Sequence, residues 1–374
     1  MSTQIDIPMV NFSTATELLR IAMAANQTVL LMGDPGVGKS AICGIVAREI
    51  GYGDNFHTLL GSTLDPTDVG GLPMRSPDGK RVVRVPLDEI YQCAERPGVL
   101  FLDEISSAPL PVQAAFLRLI LERMAGNVKL HPETRIIAAC NPPEQAPAGF
   151  ELSAPLMGRM AVVNFRPNDD EVIDHLRTLG DDADNASALD KAIRDEASLF
   201  CAVANVTPEL LQIEIPKHCV NGGQPWASPR SCERMIRARA AATVLGMDPL
   251  SDAVFAITAG SMGERAATVY SGVVRMITEL PSVDEIVADP EKALCPSDKT
   301  KQVAALGLMP RIAQRNLWAA YIYATRLQRE FSLAAHKALI PLSKYQPAIT
   351  DPLTKQGIQA RAKLSALVGG PKKG

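Results

Sequence analysis

The sequence predicts an α/β fold built on a parallel sheet, followed by a largely helical second half. Three observations carry this. The runs TVLLMG (28–33), GVLFLDEI (98–105), RIIAACNPP (135–143) and AVVNF (161–165) are nearly uninterrupted apolar stretches of strand length. Strands of a parallel sheet read this way because helices cover both of its faces. Between them lie segments of helical spacing, such as SAICGIVAREIG (40–51) and PVQAAFLRLILERMAG (111–126). After about residue 166 the strand signal stops, and DEVIDHLRTLG, SALDKAIRDEASLFCAVA, PRSCERMIRARAAATVLG and ERAATVYSGVVRMITEL all have helical periodicity.

Taken in order, TATELLRIAMAAN (14–26) is the first helix, with Thr14 and Glu17 in capping-box spacing. TVLLMG is the first strand, and Gly51 closes the helix that follows it. FHTLLGST (56–63) is a second strand. LPMRSPDGKRVVRV turns at Pro77-Asp78-Gly79 between two extended pieces, the signature of a hairpin over residues 72–85. PLDEIYQCAERPG is a helix with proline at its start and a Pro-Gly stop. In the second half, LPSVDEIVADPEKALCPSDK, from about residue 280, is a proline-punctuated connector leading to further helices, among them RNLWAAYIYATRLQREF (315–331). Trp318, Tyr321 and Tyr323 are expected in a core, since aromatics at helical spacing usually pack inside.

With 374 residues the chain is long enough for two or three domains. A formal net charge of −3 gives no support to nucleic-acid binding by bulk electrostatics. The basic stretch KQGIQARAKLSALVGGPKKG (355–374) reads as a solvated tail. MSTQIDIPMV lacks the basic and apolar regions of a signal peptide, and no apolar run approaches the roughly 20 residues of a membrane span. Cysteines 43, 93, 140, 201, 219, 232 and 295 are scattered without a C-x-x-C pair, which favours neither a zinc ribbon nor a disulfide framework. A cytoplasmic protein without a membrane partner is expected.

The strongest chemical signal is GDPGVGKS: Gly33, Asp34, Pro35, Gly36, Val37, Gly38, Lys39 and Ser40, with Ala41 just beyond. It satisfies G-x-x-x-x-G-K-[ST] between a strand and a helix, the context a phosphate-binding loop requires. Its glycines let backbone N–H groups turn inward around phosphate oxygens, and the helix N-terminus adds positive potential. Lys39 is assigned to the β- and γ-phosphates and Ser40 to Mg²⁺. In VLFLDEI, Asp103 and Glu104 end an apolar strand, where ligands of open α/β sheets collect. Asp103 suits a carboxylate associated with the metal, and Glu104 a base that polarises the attacking water. Asn141, also at a strand end, can hold that water or the γ-phosphate through its amide.

The order GDPGVGKS, VLFLDEI, IIAACNP, PLMGRM and SPRSCERM resembles an AAA+ ATPase, and more narrowly the MoxR-like branch, kin to the magnesium chelatase ATPase subunit, the gas-vesicle ATPase and the McrB restriction GTPase. The resemblance covers roughly residues 8 to 276. It implies a core of five parallel strands over residues 1–166, a helical lid over 167–276, and leaves 277–374 as a C-terminal helical extension. It also implies ATP and Mg²⁺ as ligands, held between subunits of a homo-oligomeric ring such as a hexamer. A partner with a von Willebrand factor A domain is a further implication. By the same resemblance Gly33 to Ser40 is Walker A, Asp103 and Glu104 close Walker B, Asn141 is sensor 1 and Arg230 is sensor 2. Arg159 in LSAPLMGRM is the arginine finger, although glycine stands where the family usually has an acidic residue before it. The hairpin 72–85 matches the helix-2 insert that contacts substrate or pore.

These motifs lead to an ATP-hydrolysing ring that remodels or chaperones a protein partner. The same motifs also suit a motor acting on nucleic acid, for which Arg75, Lys80, Arg81 and Arg84 on the hairpin are the available cations, or a nucleotide switch with little turnover.

Overall fold

A computed structural model describes residues 7–142, 145, 151–180, 187–220 and 223–339. The basic tail at 355–374 and Pro143 of the IIAACNPP run lie outside the described residues. The chain divides into two compact units, Met1–Asn168 and Asp169–Gly374.

In the first unit the strands are β1 (Met9–Val10), β2 (Val29–Met32), β3 (Phe56–Leu60), β4 (Leu72–Arg75), β5 (Val82–Val85), β6 (Val99–Asp103), β7 (Met124–Ala125), β8 (Val128–Lys129), β9 (Arg135–Cys140) and β10 (Ala161–Phe165). Six of them form one parallel sheet in the order β1-β10-β2-β9-β6-β3. The five-strand expectation is thus short by one. The extra member, β1, pairs only Met9 with Asn164 and Val10 with Phe165, too brief a pairing to leave a periodic signal.

The sheet is apolar on both sides. Leu30, Leu100, Leu102, Ile136 and Ala138 share one core with Ile90 and Cys93 of the helix Asp88–Glu95 and with Val112, Phe116 and Leu119 of the helix Leu110–Glu122. The alternating residues Val29, Leu31, Val99, Phe101 and Ile137 are equally buried, and the helix Lys39–Glu49 lies against β6 and β9. A strand buried on both faces has no polar face to show, which is why these runs read as continuous hydrophobics.

Two local expectations change. The first helix runs Phe12–Ala24 and is capped by Asn11, whose Oδ1 accepts the Thr14 N–H at 3.0 Å, so Thr14 and Glu17 form no capping box. After the helix Leu110–Glu122 the chain makes a small antiparallel hairpin, β7–β8, where a longer helix was expected. Arg123 adopts φ 58°, which stops the helix, and its guanidinium donates to the Thr134 carbonyl. The expected hairpin does form, pairing β4 with β5 from Leu72–Val85 to Arg75–Val82.

The described part of the second unit is helical. Ala188–Ala204, Pro229–Val244, Asp252–Met262, Glu264–Ile277 and Lys299–Arg315 are its main helices. Lys299–Arg315 packs on Ala188–Ala204 closely enough that a Cβ on Gly307 would meet Leu199 at 2.3 Å. The stretch 315–331 is not one helix. Asn316, at φ −154°, ends Lys299–Arg315 and caps Leu317–Ala324 by accepting the Ala319 N–H; a further helix begins at Arg329. Asparagine competes for backbone groups and so favours caps over helix interiors. Tyr321 and Tyr323 are buried and Trp318 packs against their cluster. Among the described residues no helix is long and apolar enough to cross a membrane.

Candidate nucleotide site

The order β2-β9-β6-β3 decides what meets at the carboxyl edge of the sheet. Parallel neighbours end on the same side, so Gly33 after β2, Asn141 after β9, Asp103 and Glu104 at β6, and the loop after β3 become adjacent. The register is close: Met32 pairs with Cys140, and Asp103 with Leu60.

Gly33 N–H donates to Cys140 O at 3.2 Å, tying the loop to β9. The loop then turns into the helix Lys39–Glu49 through Gly38, at φ 96°. A side chain there would sit in a strained left-handed conformation, and glycine removes that cost. As the N-cap, Gly38 offers no side-chain acceptor, so the first N–H groups of the helix keep their capacity for an external anion.

Lys39 is buried, yet its ammonium is well accommodated. Nζ donates to Gly33 O at 2.6 Å, Asp34 O at 3.0 Å and Asn141 Oδ1 at 2.9 Å. The last bond joins residues 102 positions apart in sequence, the lysine of the loop and the asparagine after β9. Ser40 Oγ donates to Asp103 Oδ2 at 2.9 Å, placing a hydroxyl beside a carboxylate oxygen. Asp103 Oδ1 accepts the Glu104 N–H at 2.9 Å. Such a hard oxygen pair fits Mg²⁺, which is typically held by one or two protein oxygens together with substrate phosphates.

Glu104 has φ 52° and ψ 37°, left-handed for a residue with a full side chain. Its carboxylate accepts Ser62 Oγ–H at 2.6 Å. Ser62 follows β3 and gave no motif in the sequence. Its neighbour Gly61 explains the approach, since a Cβ there would lie 2.9 Å from Glu104 O and 3.2 Å from the Ala108 Cβ. Gln145 is a second partner the motifs missed, donating to Asp34 Oδ1 at 2.9 Å. Both depend on loop packing, for which the sequence carries no spacing rule.

Pro35, Gly36 and Val37 form the body of the loop, and Ala41 is exposed in the first turn of its helix. Cys43 and Cys140 border the site as buried thiols. Burial, with the Asp103 charge adding to it, pushes Cys43 far up against the opposing pull of Lys39, and burial pushes Cys140 up to about 12. Neither is a nucleophile near neutral pH.

Arg159 stands apart from this cluster. It is exposed just after the short helix Ala154–Met157, and its guanidinium donates to Pro155 O at 2.9 Å. Arg230 belongs to the second unit. It is exposed in the first turn of Pro229–Val244, whose cap Ser228 accepts the Ser231 N–H.

Residues 29–168 match the profile of the ATPase family associated with various cellular activities, AAA. The match to the AAA family thus falls within the first unit. The MoxR protein of Methylorubrum extorquens is 36% identical over 110 residues, 29% of this chain and 31% of that protein. A replication factor C small subunit of Methanosarcina barkeri is 30% identical over 149 residues, 39% of this chain and 38% of that protein. The chain spans about a third of the length of these relatives. Among solved structures, Thermotoga maritima RuvB, a Holliday junction branch migration motor, aligns at 14% identity with TM-score 0.36, over 81% of this chain and 80% of that one. Brucella abortus NtrX in complex with ATP aligns at 17% identity with TM-score 0.38, over 89% and 68%. The AAA domain and the MoxR match uphold the resemblance drawn from the motifs, an AAA+ ATPase of MoxR type.

Proposed function

We propose that the chain is a Mg²⁺-dependent ATPase that assembles into a homo-oligomeric ring, such as a hexamer, and remodels a protein partner in the cytoplasm. The observation that supports this most is the contact of Lys39 with Asn141 and of Ser40 with Asp103 at one sheet edge, beside Glu104. Residues 33–41 wrap the phosphates through backbone N–H groups, and Lys39 exchanges its carbonyl partners for phosphate oxygens. Ser40 and Asp103 would hold Mg²⁺, which when bound neutralises charge developing between the β- and γ-phosphates. Glu104 polarises the attacking water, and Asn141 orients it through its amide. Arg159 is the finger offered to the next subunit's γ-phosphate, and Arg230 serves as sensor 2. Residues 167–276 act as the lid, and 277–374 as an extension contacting a partner, which on the MoxR pattern carries a von Willebrand factor A domain.

The test is ATP binding and steady-state hydrolysis by the purified chain with Mg²⁺. Lys39→Ala is expected to lose binding. Glu104→Gln should keep binding and lose at least about 100-fold in turnover, the contribution of a positioned general base. A wild-type chain without turnover at any concentration, alone or with its partner, would sink the proposal and favour a nucleotide switch.

A nucleic-acid motor is the second reading, favoured by the exposed Arg75, Lys80, Arg81 and Arg84 on the β4–β5 hairpin. It requires DNA binding that weakens steeply with salt and disappears when these four are neutralised.

A further inference from the structure

Gln113 lies on the buried face of the helix Leu110–Glu122, among Val112, Phe116 and Leu119, and is only 1% exposed. A polar side chain in that position is costly unless its hydrogen bonds are made. They are made to two main-chain segments. Nε2 donates to Ala108 O at 3.1 Å and, at longer range, to Glu151 O at 3.5 Å, while Oε1 accepts the Ser153 N–H at 3.2 Å.

Each segment leads to a residue of the proposed chemistry. Ala108 closes the tight turn Ile105–Ser107, which opens on Glu104: Ser107 N–H donates to Glu104 O at 2.8 Å and Ala108 N–H to Ile105 O at 3.3 Å. Ser153 is the N-cap of Ala154–Met157, its main-chain carbonyl accepting from Leu156 N–H at 2.9 Å and Met157 N–H at 3.0 Å. Arg159 follows, its N–H on Leu156 O at 3.1 Å and its guanidinium on Pro155 O. One amide thus bridges the turn after Glu104 and the segment that carries Arg159, 46 residues beyond Gln113 in the chain.

We propose that Gln113 is a positioning residue that couples the Glu104 turn of one subunit to the Arg159 that this subunit offers its neighbour. The inference rests on the reading of Arg159 as a finger acting across a ring. Glu104 serves its own subunit's nucleotide and Arg159 the next one's, so the amide links the geometry of one site to the readiness of the adjacent one. An apolar side chain of similar volume fills the same space but carries neither tie. A finger displaced by about 1 Å costs roughly 10²-fold in rate.

The test compares Gln113→Leu and Gln113→Glu, each alone and with Arg159→Ala. Single-turnover ATP hydrolysis with protein in excess and ATP affinity are both read. Gln113→Leu is expected to lose about 10- to 100-fold in rate at unchanged affinity, by the same positioning logic, and to add less than about 2-fold in the Arg159→Ala background. Gln113→Glu keeps an acceptor for Ser153 N–H but no donor for Ala108 O, and falls between; it carries the comparison if Gln113→Leu does not fold. Equal losses in both backgrounds, or a loss of affinity that tracks the rate, overturn the coupling. Wild-type rates for both Gln113 variants, with Arg159→Ala inactive, overturn this inference and leave the finger reading intact. Full turnover by Arg159→Ala overturns both.

Discussion

Glu104 shows most clearly how one residue is shaped by a neighbour far away in the chain. Its left-handed backbone costs of order 1–2 kcal/mol for a non-glycine residue. The turn Ile105–Ser107 and the bond from Ser62 hold it there. Ser62 lies after β3, on the side of β6 away from β9, so its bond ties the carboxylate to the loop after β3. Ser62→Ala is therefore expected to raise basal ATP turnover by about 5-fold, the equivalent of one exposed charge-assisted bond worth roughly 1 kcal/mol. A steady-state assay decides it, and a fall in turnover means that Ser62 orients the base productively. The acid itself was legible as the end of an apolar run; its hydroxyl partner was not, because a lone serine after a strand has no distinguishing spacing.

The helix Pro229–Val244 looks like a solvated arginine-rich face, with Arg230, Arg234, Arg237 and Arg239. The fold separates them. Arg239 is buried, donating through Nε to Glu196 Oε1 at 2.7 Å and through Nη1 to Thr258 Oγ1 at 3.3 Å, over the ring of Tyr270. Tyr270 in turn donates to the same Glu196 oxygen at 2.9 Å. Burial, reinforced by the Glu196 charge, pushes the Tyr270 hydroxyl well above its ordinary range, so it remains a donor. This network joins four helices of the second unit. Glu196→Ala leaves a buried guanidinium unpaired and is expected to destabilise by about 3–5 kcal/mol in denaturant unfolding. Arg239→Ala combined with it should cost clearly less than the sum. Additive costs would mean that the two side chains are not coupled. Helical periodicity announced the helix but could not say which arginine faces inward, since an ion pair hides the charge that marks a residue as exposed. The break at Asn316 was equally hidden, because apolar spacing continues across it.

At the scale of the whole molecule, the finger hypothesis makes a prediction no single chain can satisfy. Arg159 is exposed and lies outside the cluster around Lys39. Arg159→Ala should bind ATP normally and lose about 10³-fold or more in hydrolysis, as arginine fingers do. Mixed with Glu104→Gln, it should regain part of that activity, because one interface then combines an intact Glu104 with an intact Arg159. Mixed assemblies that stay at the level of either variant alone would rule out action across the interface.

The sequence by itself determined the alternation of buried strands and helices, the glycine-rich loop after β2 and the carboxylates at the end of β6, because these depend on local period, glycine placement and the strand–loop–helix context. Tertiary structure alone decided which strand ends lie side by side. The order β2-β9-β6-β3 brings Lys39 to Asn141, Ser40 to Asp103 and Ser62 to Glu104. It also decided that Gln113 spans two segments and that Arg239 is buried. Such pairings join residues tens of positions apart through directional bonds, and no local periodicity encodes them.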